Sequence, residues 1–219
     1  MNKDLINIWN RDSARIPEDI DPSPYAVDKE KLFPRDSTIC DLGGGSGANG
    51  AYFQEKGHRV ILADISDLAL AKASARGLKT KQIDMSEGKL PFRDGQFDVV
   101  FSHLSLHYFD AQTTTKLLSE IFRMLKYGGQ AFIAVKSPND TEEMAFLKSK
   151  AKEIKEDVFT DHGKIQTRFA PERYENFIKK AGIKDFEIAE YCESFQGNKN
   201  NIASGNQDLV LIDICFRKS

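Results

Sequence analysis

Asp41, Asp64 and Asp84 each close a strand-like run, and the first leads into Ile39-Cys40-Asp41-Leu42-Gly43-Gly44-Gly45-Ser46-Gly47-Ala48-Asn49-Gly50. Three consecutive glycines, then a fourth after Ser46, are expensive to order, because glycine loses the most backbone entropy on folding. Gly43, Gly45 and Gly47 alternate directly between a strand-like and a helix-like segment. That placement lets backbone N–H groups and a helix N-terminus approach a bound ligand, and turning alone explains such a run poorly. Asp64 follows Gly43 by 21 residues; a carboxylate there is a natural acceptor for a vicinal diol, and its charge favours a nearby cation. Asp84 also reads as a plain turn acid ahead of Ser86, and Met85 as a residue that fills a gap in the core.

A second chemical stretch is Ser102-His103-Leu104-Ser105-Leu106-His107-Tyr108, which holds two of the four histidines, four positions apart. The spacing puts both on one helical face. Leu104 after His103 excludes the His-Glu-x-x-His zinc pair, and with no clear third ligand no metal is expected. The glycine turn lacks the Gly-Lys-Ser/Thr ending of a P-loop, which argues against nucleoside triphosphate hydrolysis. Gly43-x-Gly45-x-x-Ala48 with Asp64 does fit a dinucleotide fingerprint. Those residues alone therefore leave a nicotinamide enzyme and an adenosyl-sulfonium enzyme both open.

The elements that must carry these residues are legible as apolar runs with helices between them. Strands are expected at 38–42, 58–63, 80–83, 97–102, 131–136, 186–192 and 209–216. Several runs are continuous rather than alternating, as in Phe132-Ile133-Ala134-Val135, which suits strands covered on both faces. Helices are expected at 48–56, 67–76 and 113–125, the first two stopping at Gly57 and Gly77. This cadence predicts an α/β fold with a doubly wound sheet and right-handed crossovers. One domain is expected over 1–219: an N-terminal arm (1–37), a ligand-binding core (38–136), a helical excess region (137–183) and final strands (184–219). Within the excess region Met144, Leu147, Ala151, Ile154 and Val158 recur at spacings of three and four, which predicts one amphipathic helix through Val158. A second helix is expected from Pro171, with Tyr174, Phe177 and Ile178 on its inner face.

Bulk properties narrow the class. The chain has 219 residues, 40% apolar and 29% charged, with a formal net charge of -2, an ordinary soluble composition with no call for a polyanionic partner. No apolar leader or membrane-length stretch is evident. Cys40, Cys192 and Cys215 are odd in number and widely spaced; with Cys40 and Cys215 inside apolar runs, free buried thiols and a cytoplasmic location are expected. A monomer or homodimer is expected.

The spaced features taken together resemble the class I S-adenosylmethionine-dependent methyltransferases, particularly the small enzymes with a generic methyltransferase domain. Asp41-Leu42-Gly43-Gly44-Gly45-Ser46-Gly47 matches the family's acid and Gly-x-Gly-x-Gly turn, and the likeness extends to Leu125-Lys126-Tyr127-Gly128-Gly129, with Tyr127 where proline is commoner. The resemblance implies a seven-stranded Rossmann-like sheet whose last strand is antiparallel, and S-adenosylmethionine as cofactor. It places Asp41, Gly43, Gly45, Gly47, Asp64, Ile65, Asp84, Met85 and His107 at the cofactor. Asp64 would accept both ribose hydroxyls, Asp84 would meet the adenine amine, and Asp41 would orient the loop and meet the methionine ammonium end.

Transfer to a small-molecule acceptor is expected, since the Asn/Asp-Pro-Pro-aromatic motif of nucleic-acid amino methylases is missing after the fourth strand. His103 is the candidate catalytic base, and Trp9, Tyr25, His103 and Arg168 are candidate acceptor contacts. The arm reads either as a mobile cover or as a helix packed permanently through Leu5, Ile8 and Trp9. RNA or protein methylation, a nicotinamide-dependent reductase and a cofactor-binding protein without catalysis are the alternatives. The reductase is opposed by Asp41, by Asp84 and by the final strands with their Ser204-Gly205-Asn206 turn.

Overall fold

A computed structural model describes residues 2–17, 20–194 and 208–219. Its centre is a seven-stranded sheet in the order β3-β2-β1-β4-β5-β10-β9. The first four strands are β1 (Thr38–Leu42), β2 (Arg59–Asp64), β3 (Lys79–Gln82) and β4 (Phe97–His103), followed by β5 (Leu125–Lys136), β9 (Phe186–Ser194) and β10 (Asp208–Arg217). β1 to β5 are mutually parallel, and β10 runs antiparallel to both β5 and β9. The reversed strand is inserted between β5 and β9, as the methyltransferase resemblance implies and a second parallel half would not give. Ser204-Gly205-Asn206 lies outside the described residues.

The sheet carries a core on each face, which is why its strands are continuously apolar. Cys40, Val100, Ile133 and Ile214 point to one face, under α5 (Ala111–Met124) and α7 (Pro171–Lys180). Ile39, Val99, Phe101 and Phe132 point to the other, under α2 (Pro24–Glu30), α3 (Ala48–Glu55) and α4 (Asp67–Ala75). Residues adjacent along a strand face opposite cores, so a shift of one residue would exchange them. α5 presents Leu117, Leu118, Ile121 and Met124 as a buried stripe, at the three- and four-residue spacing of one helix face.

Two expectations are corrected here. The helix expected through Val158 is α6 (Thr141–Lys150), and the chain then forms a three-stranded antiparallel sheet, β6 (Lys152–Lys155), β7 (Val158–Asp161) and β8 (Lys164–Thr167). Ile154 is exposed while Val158 and Phe159 are buried, so the helical spacing beyond Leu147 was a coincidence of composition. His162 and Gly163, both at positive φ, make the two-residue loop joining β7 to β8, the backbone a tight hairpin demands. Cys40 is buried, but Cys215 is only partly so and Cys192 is exposed; none is paired in a disulfide. No described helix is long and apolar enough to cross a membrane.

The N-terminal segment forms α1 (Lys3–Ser13), away from the sheet and against α4. Asn10 accepts from the Ser66 hydroxyl at 2.7 Å, and Lys72 donates to the carbonyls of Ser13 and Ile16 at 2.9 and 2.6 Å. Polar bonds rather than a large apolar face hold this helix, whose only buried residue is Ser13.

Candidate active site

The carboxyl ends of the parallel strands meet the chain segments that follow them, the edge at which open α/β sheets take ligands. A cavity of about 350 Å³ lies there. Gly43 and Gly45 form its floor, Asp64 and Ile65 line it after β2, and Asp84, Met85 and Ser86 line it after β3.

Each residue of this wall is fixed by a local reason. Gly43 has φ +72°, and a Cβ there would stand 2.0 Å from Ser105 Oγ, so only glycine lets the segment after β4 lie on the turn. Gly45, at φ +56°, would place a Cβ in open space. Its bare backbone is therefore presented to the cavity. Asp64 ties the turn to β2: Oδ2 accepts from Gly45 N–H at 3.0 Å and Oδ1 from Ser66 N–H at 2.9 Å. Each carboxylate oxygen has a second lone pair to offer. Burial raises the Asp64 carboxyl pKa, against the lowering pull of these N–H groups. Asp84 serves as a turn acid, its Oδ1 accepting from Ser86 N–H at 3.0 Å and Ser86 Oγ–H at 2.6 Å, and also lines the cavity.

Asp41 is buried beneath the turn and does not line the cavity. Its Oδ2 would be 2.5 Å from a Cβ on Gly44, so the carboxylate supports the glycine run from below. Burial first, then the charge of Asp64, push its carboxyl up to about 7, opposed by the Gly50 backbone N–H. Gly47 starts α3 with φ +86° and packs against Leu78, also off the cavity.

The opposite wall is assembled from distant segments. Trp9 of α1 meets Tyr108 edge-on, with ring centroids 4.6 Å apart. Lys164, at the start of β8, donates to Asp12 Oδ2 at 2.6 Å and lies 5.6 Å from the Trp9 ring centroid. Leu5, Ile16, Phe109 and Ile165 complete an apolar lining. Leu104 turns the chain off β4 with φ +54°, a conformation that costs a non-glycine residue about 1–2 kcal/mol. That turn brings Ser105 onto Gly43.

Of the residues singled out from sequence, Trp9, Gly43, Gly45, Asp64, Ile65, Asp84 and Met85 are brought together, while Tyr25, His103, His107 and Arg168 are not. Tyr25 is buried on the α2 face, where its hydroxyl donates to Asp213 at 2.7 Å and its N–H to Glu193 at 2.9 Å. His103 Nε2 lies 2.8 Å from Glu193 Oε2, and the imidazole stacks on Tyr25 at 5.7 Å. Arg168 is fully buried, donating to Glu143 at 3.2 Å and to the Thr167 carbonyl at 2.9 Å. His107 is fully enclosed, and burial, then the Arg168 and Lys136 charges, hold its pKa well below the usual range. It is therefore a neutral imidazole packed behind Tyr108, 4.3 Å between centroids. Asp12, Ser105, Tyr108, Lys164 and Ile165 line the cavity without having been singled out. Gly163 beside Lys164 was the one local sign that a turn there had a task.

Residues 40–133 match the family model described as a methyltransferase domain. The mitochondrial arginine-hydroxylase NDUFAF5 of Homo sapiens is 31% identical over 156 residues, covering 62% of this chain and 44% of its own length. The chain spans less than half the length of the first curated relatives it matches. A SAM-dependent methyltransferase of Methanosarcina mazei has the same fold at TM-score 0.70 and 19% identity, over 90% of this chain and 99% of its own. So has the 1,6-didemethyltoxoflavin-N1-methyltransferase of Burkholderia thailandensis, solved with 1,6-didemethyltoxoflavin and S-adenosylhomocysteine, at TM-score 0.63 and 17% identity over 90% and 77%. Residues 40–133 thus match a methyltransferase-domain model, within a chain that shares the fold of structures solved for SAM-dependent methyltransferases.

Proposed function

We propose that this protein transfers a methyl group from S-adenosylmethionine to a small-molecule acceptor. The observation that carries the reading is one continuous cavity, with the glycine turn, Asp64 and Asp84 on one side and Trp9 and Tyr108 on the other. When bound, S-adenosylmethionine supplies an electrophilic methyl group on a sulfonium. Asp64 retains acceptor capacity for the ribose diol, while its bonds to Gly45 and Ser66 hold it in position. Asp84 and Met85 would bracket the adenine. Asp41, its carboxyl pushed up to about 7, lies beneath the turn and in its ionised form would favour a cationic ligand without touching it.

With the cofactor held by the glycine turn, Asp64 and Asp84, an acceptor lone pair would form the bond to the methyl carbon as the carbon–sulfur bond breaks, the electron pair of the broken bond staying on sulfur. The chain's main contribution is to hold the acceptor in line, with reacting atoms about 3–3.5 Å apart. The roof of α1 and the β7–β8 loop excludes water from this step. His103 is occupied by Glu193 and stands off the cavity, so the reading assigns it to support of α2 and β9. An acceptor proton then leaves to solvent or to Asp110, which lines the cavity. Incubation of the full chain with S-adenosylmethionine and a metabolite library should release S-adenosylhomocysteine for particular small molecules. Release only with RNA or protein acceptors would contradict the reading.

A further inference from the structure

The acceptor side of the cavity has a charge arrangement that selects among small molecules, an inference that rests on the methyl-transfer reading above. Of the cavity's four carboxylates, Asp64 and Asp84 lie on the cofactor side and Asp12 and Asp110 are left for the acceptor side, and among the described lining residues Lys164 is the single cation. That cation is already held, 2.6 Å from Asp12 Oδ2 and 5.6 Å from the Trp9 ring centroid. Arg168, a natural candidate to hold an anion, is instead committed to Glu143 and the Thr167 carbonyl, fully buried and off the cavity. The surface beside the pair is aromatic and aliphatic, with Trp9 edge-on to Tyr108 and Phe109 and Ile165 nearby.

We propose that the acceptor is a ring-bearing apolar molecule carrying a neutral or cationic polar group, and that Asp12, by sequestering Lys164, is the residue that excludes anionic acceptors. With Lys164 paired to Asp12, an anion entering here meets the remaining charge of Asp110 beside apolar walls, where like charges repel more than in water. To gain a partner it would have to compete with Asp12 for the Lys164 ammonium. A neutral ring needs no such exchange and gains apolar contact with the roof.

Trp9 is the only tryptophan of the chain, so its emission reports directly on this wall. The full-length protein, titrated first with S-adenosylhomocysteine and then at saturation with phenylbutylamine, phenylbutanol or phenylbutyrate, gives the order of the three probes. The amine and alcohol should saturate, with the carboxylate at least about tenfold weaker, and Asp12→Asn should tighten the carboxylate by about tenfold, the scale of one freed charge-assisted bond. Lys164→Gln should leave the carboxylate weak.

Phenylbutyrate binding to the wild-type protein as tightly as phenylbutanol would overturn the proposal. So would an unchanged order in an Asp12→Asn protein whose circular dichroism matches wild type. Binding of none of the probes to the cofactor-loaded protein would overturn the ring-bearing class. If Asp12→Asn does not fold, the wild-type order and the Lys164→Gln result decide alone. Failure of S-adenosylhomocysteine itself to bind would instead overturn the methyl-transfer reading.

Discussion

The two walls of the cavity are built by opposite strategies. The glycine-turn wall comes from three successive strand ends, and its bonds span 2 to 19 positions: Asp64 reaches Gly45 and Ser66, and Asp84 reaches Ser86. The roof joins α1 to the β7–β8 hairpin through Asp12 and Lys164, 152 positions apart. A wall fixed by strand ends is rigid because the sheet core beneath it is fully buried. The roof has no sheet beneath it: α1 is held to α4 by side-chain bonds through Asn10 and Lys72, and to the hairpin by one partly exposed ion pair, a kind worth about 0–1 kcal/mol, so it is the more adjustable wall. One side is thus suited to a constant ligand and the other to a particular acceptor.

The contrast is broken most severely at Gly43. Gly43→Val adds side-chain atoms where Ser105 Oγ would be 2.0 Å from the Cβ, at φ +72°. Strain and overpacking together should remove about 2–4 kcal/mol of stability and abolish cofactor binding. Thermal unfolding and calorimetry check this; a stable variant that binds S-adenosylhomocysteine normally would show the turn to be adjustable too.

Next in size, Asp64→Ala removes a charged acceptor and frees two N–H groups of the turn. Cofactor affinity should fall by about 1.5–3 kcal/mol. Circular dichroism should be unchanged, because the residue ends its strand.

A pH effect sharpens the comparison on the rigid side. Asp41 has a folded-state pKa of about 7, so between about pH 4 and 7 the folded chain holds a proton that the unfolded chain has released. This group's contribution to stability is therefore unpenalised below pH 4 and falls as pH rises to about 7. A bound cation favours the carboxylate, so cofactor binding should release a proton and tighten as pH rises through 7. Calorimetry in buffers of different ionisation enthalpy measures the release, and Asp41→Asn should abolish it. A pH-independent wild-type affinity would place the Asp41 charge too far away to matter.

The smallest change is expected at Tyr127, 86% exposed near the start of β5. Tyr127→Lys should leave stability within about 0.5 kcal/mol and cofactor affinity unaltered. A larger loss on unfolding would reveal a contact for this ring that its exposure does not suggest.

What was legible in the sequence follows the same division. Asp41, Gly43 and Asp64 announced themselves because each lies at or just past the end of an apolar strand, which needs only local pattern to be found, whereas Asp84 follows the polar β3 and stood out through the family resemblance. That the sheet is covered on both faces was legible for the same reason: β1, β2 and β4 are continuously apolar. The roof was legible only in part: Trp9 and the N-terminal arm were singled out, but their partners were not. Lys164 and Asp12 are ordinary surface types, and nothing local says that they meet. Met144, Leu147, Ala151, Ile154 and Val158 kept helical spacing past the point where the chain turns to strand, and the deciding signal, His162-Gly163, was two residues long. Tyr25, His103 and Arg168 were singled out for chemical type, yet each is satisfied by a partner in another element: Asp213, Glu193 and Glu143.

The division of labour between the walls is tested most directly by S-adenosylhomocysteine calorimetry on three full-length proteins: wild type, Asp64→Ala and Trp9→Ala. Asp64→Ala should bind at least about tenfold more weakly. Trp9→Ala should bind within about threefold of wild type, about 0.6 kcal/mol. A Trp9→Ala loss equal to or larger than that of Asp64→Ala would contradict the account, moving α1 from the acceptor wall to the cofactor site.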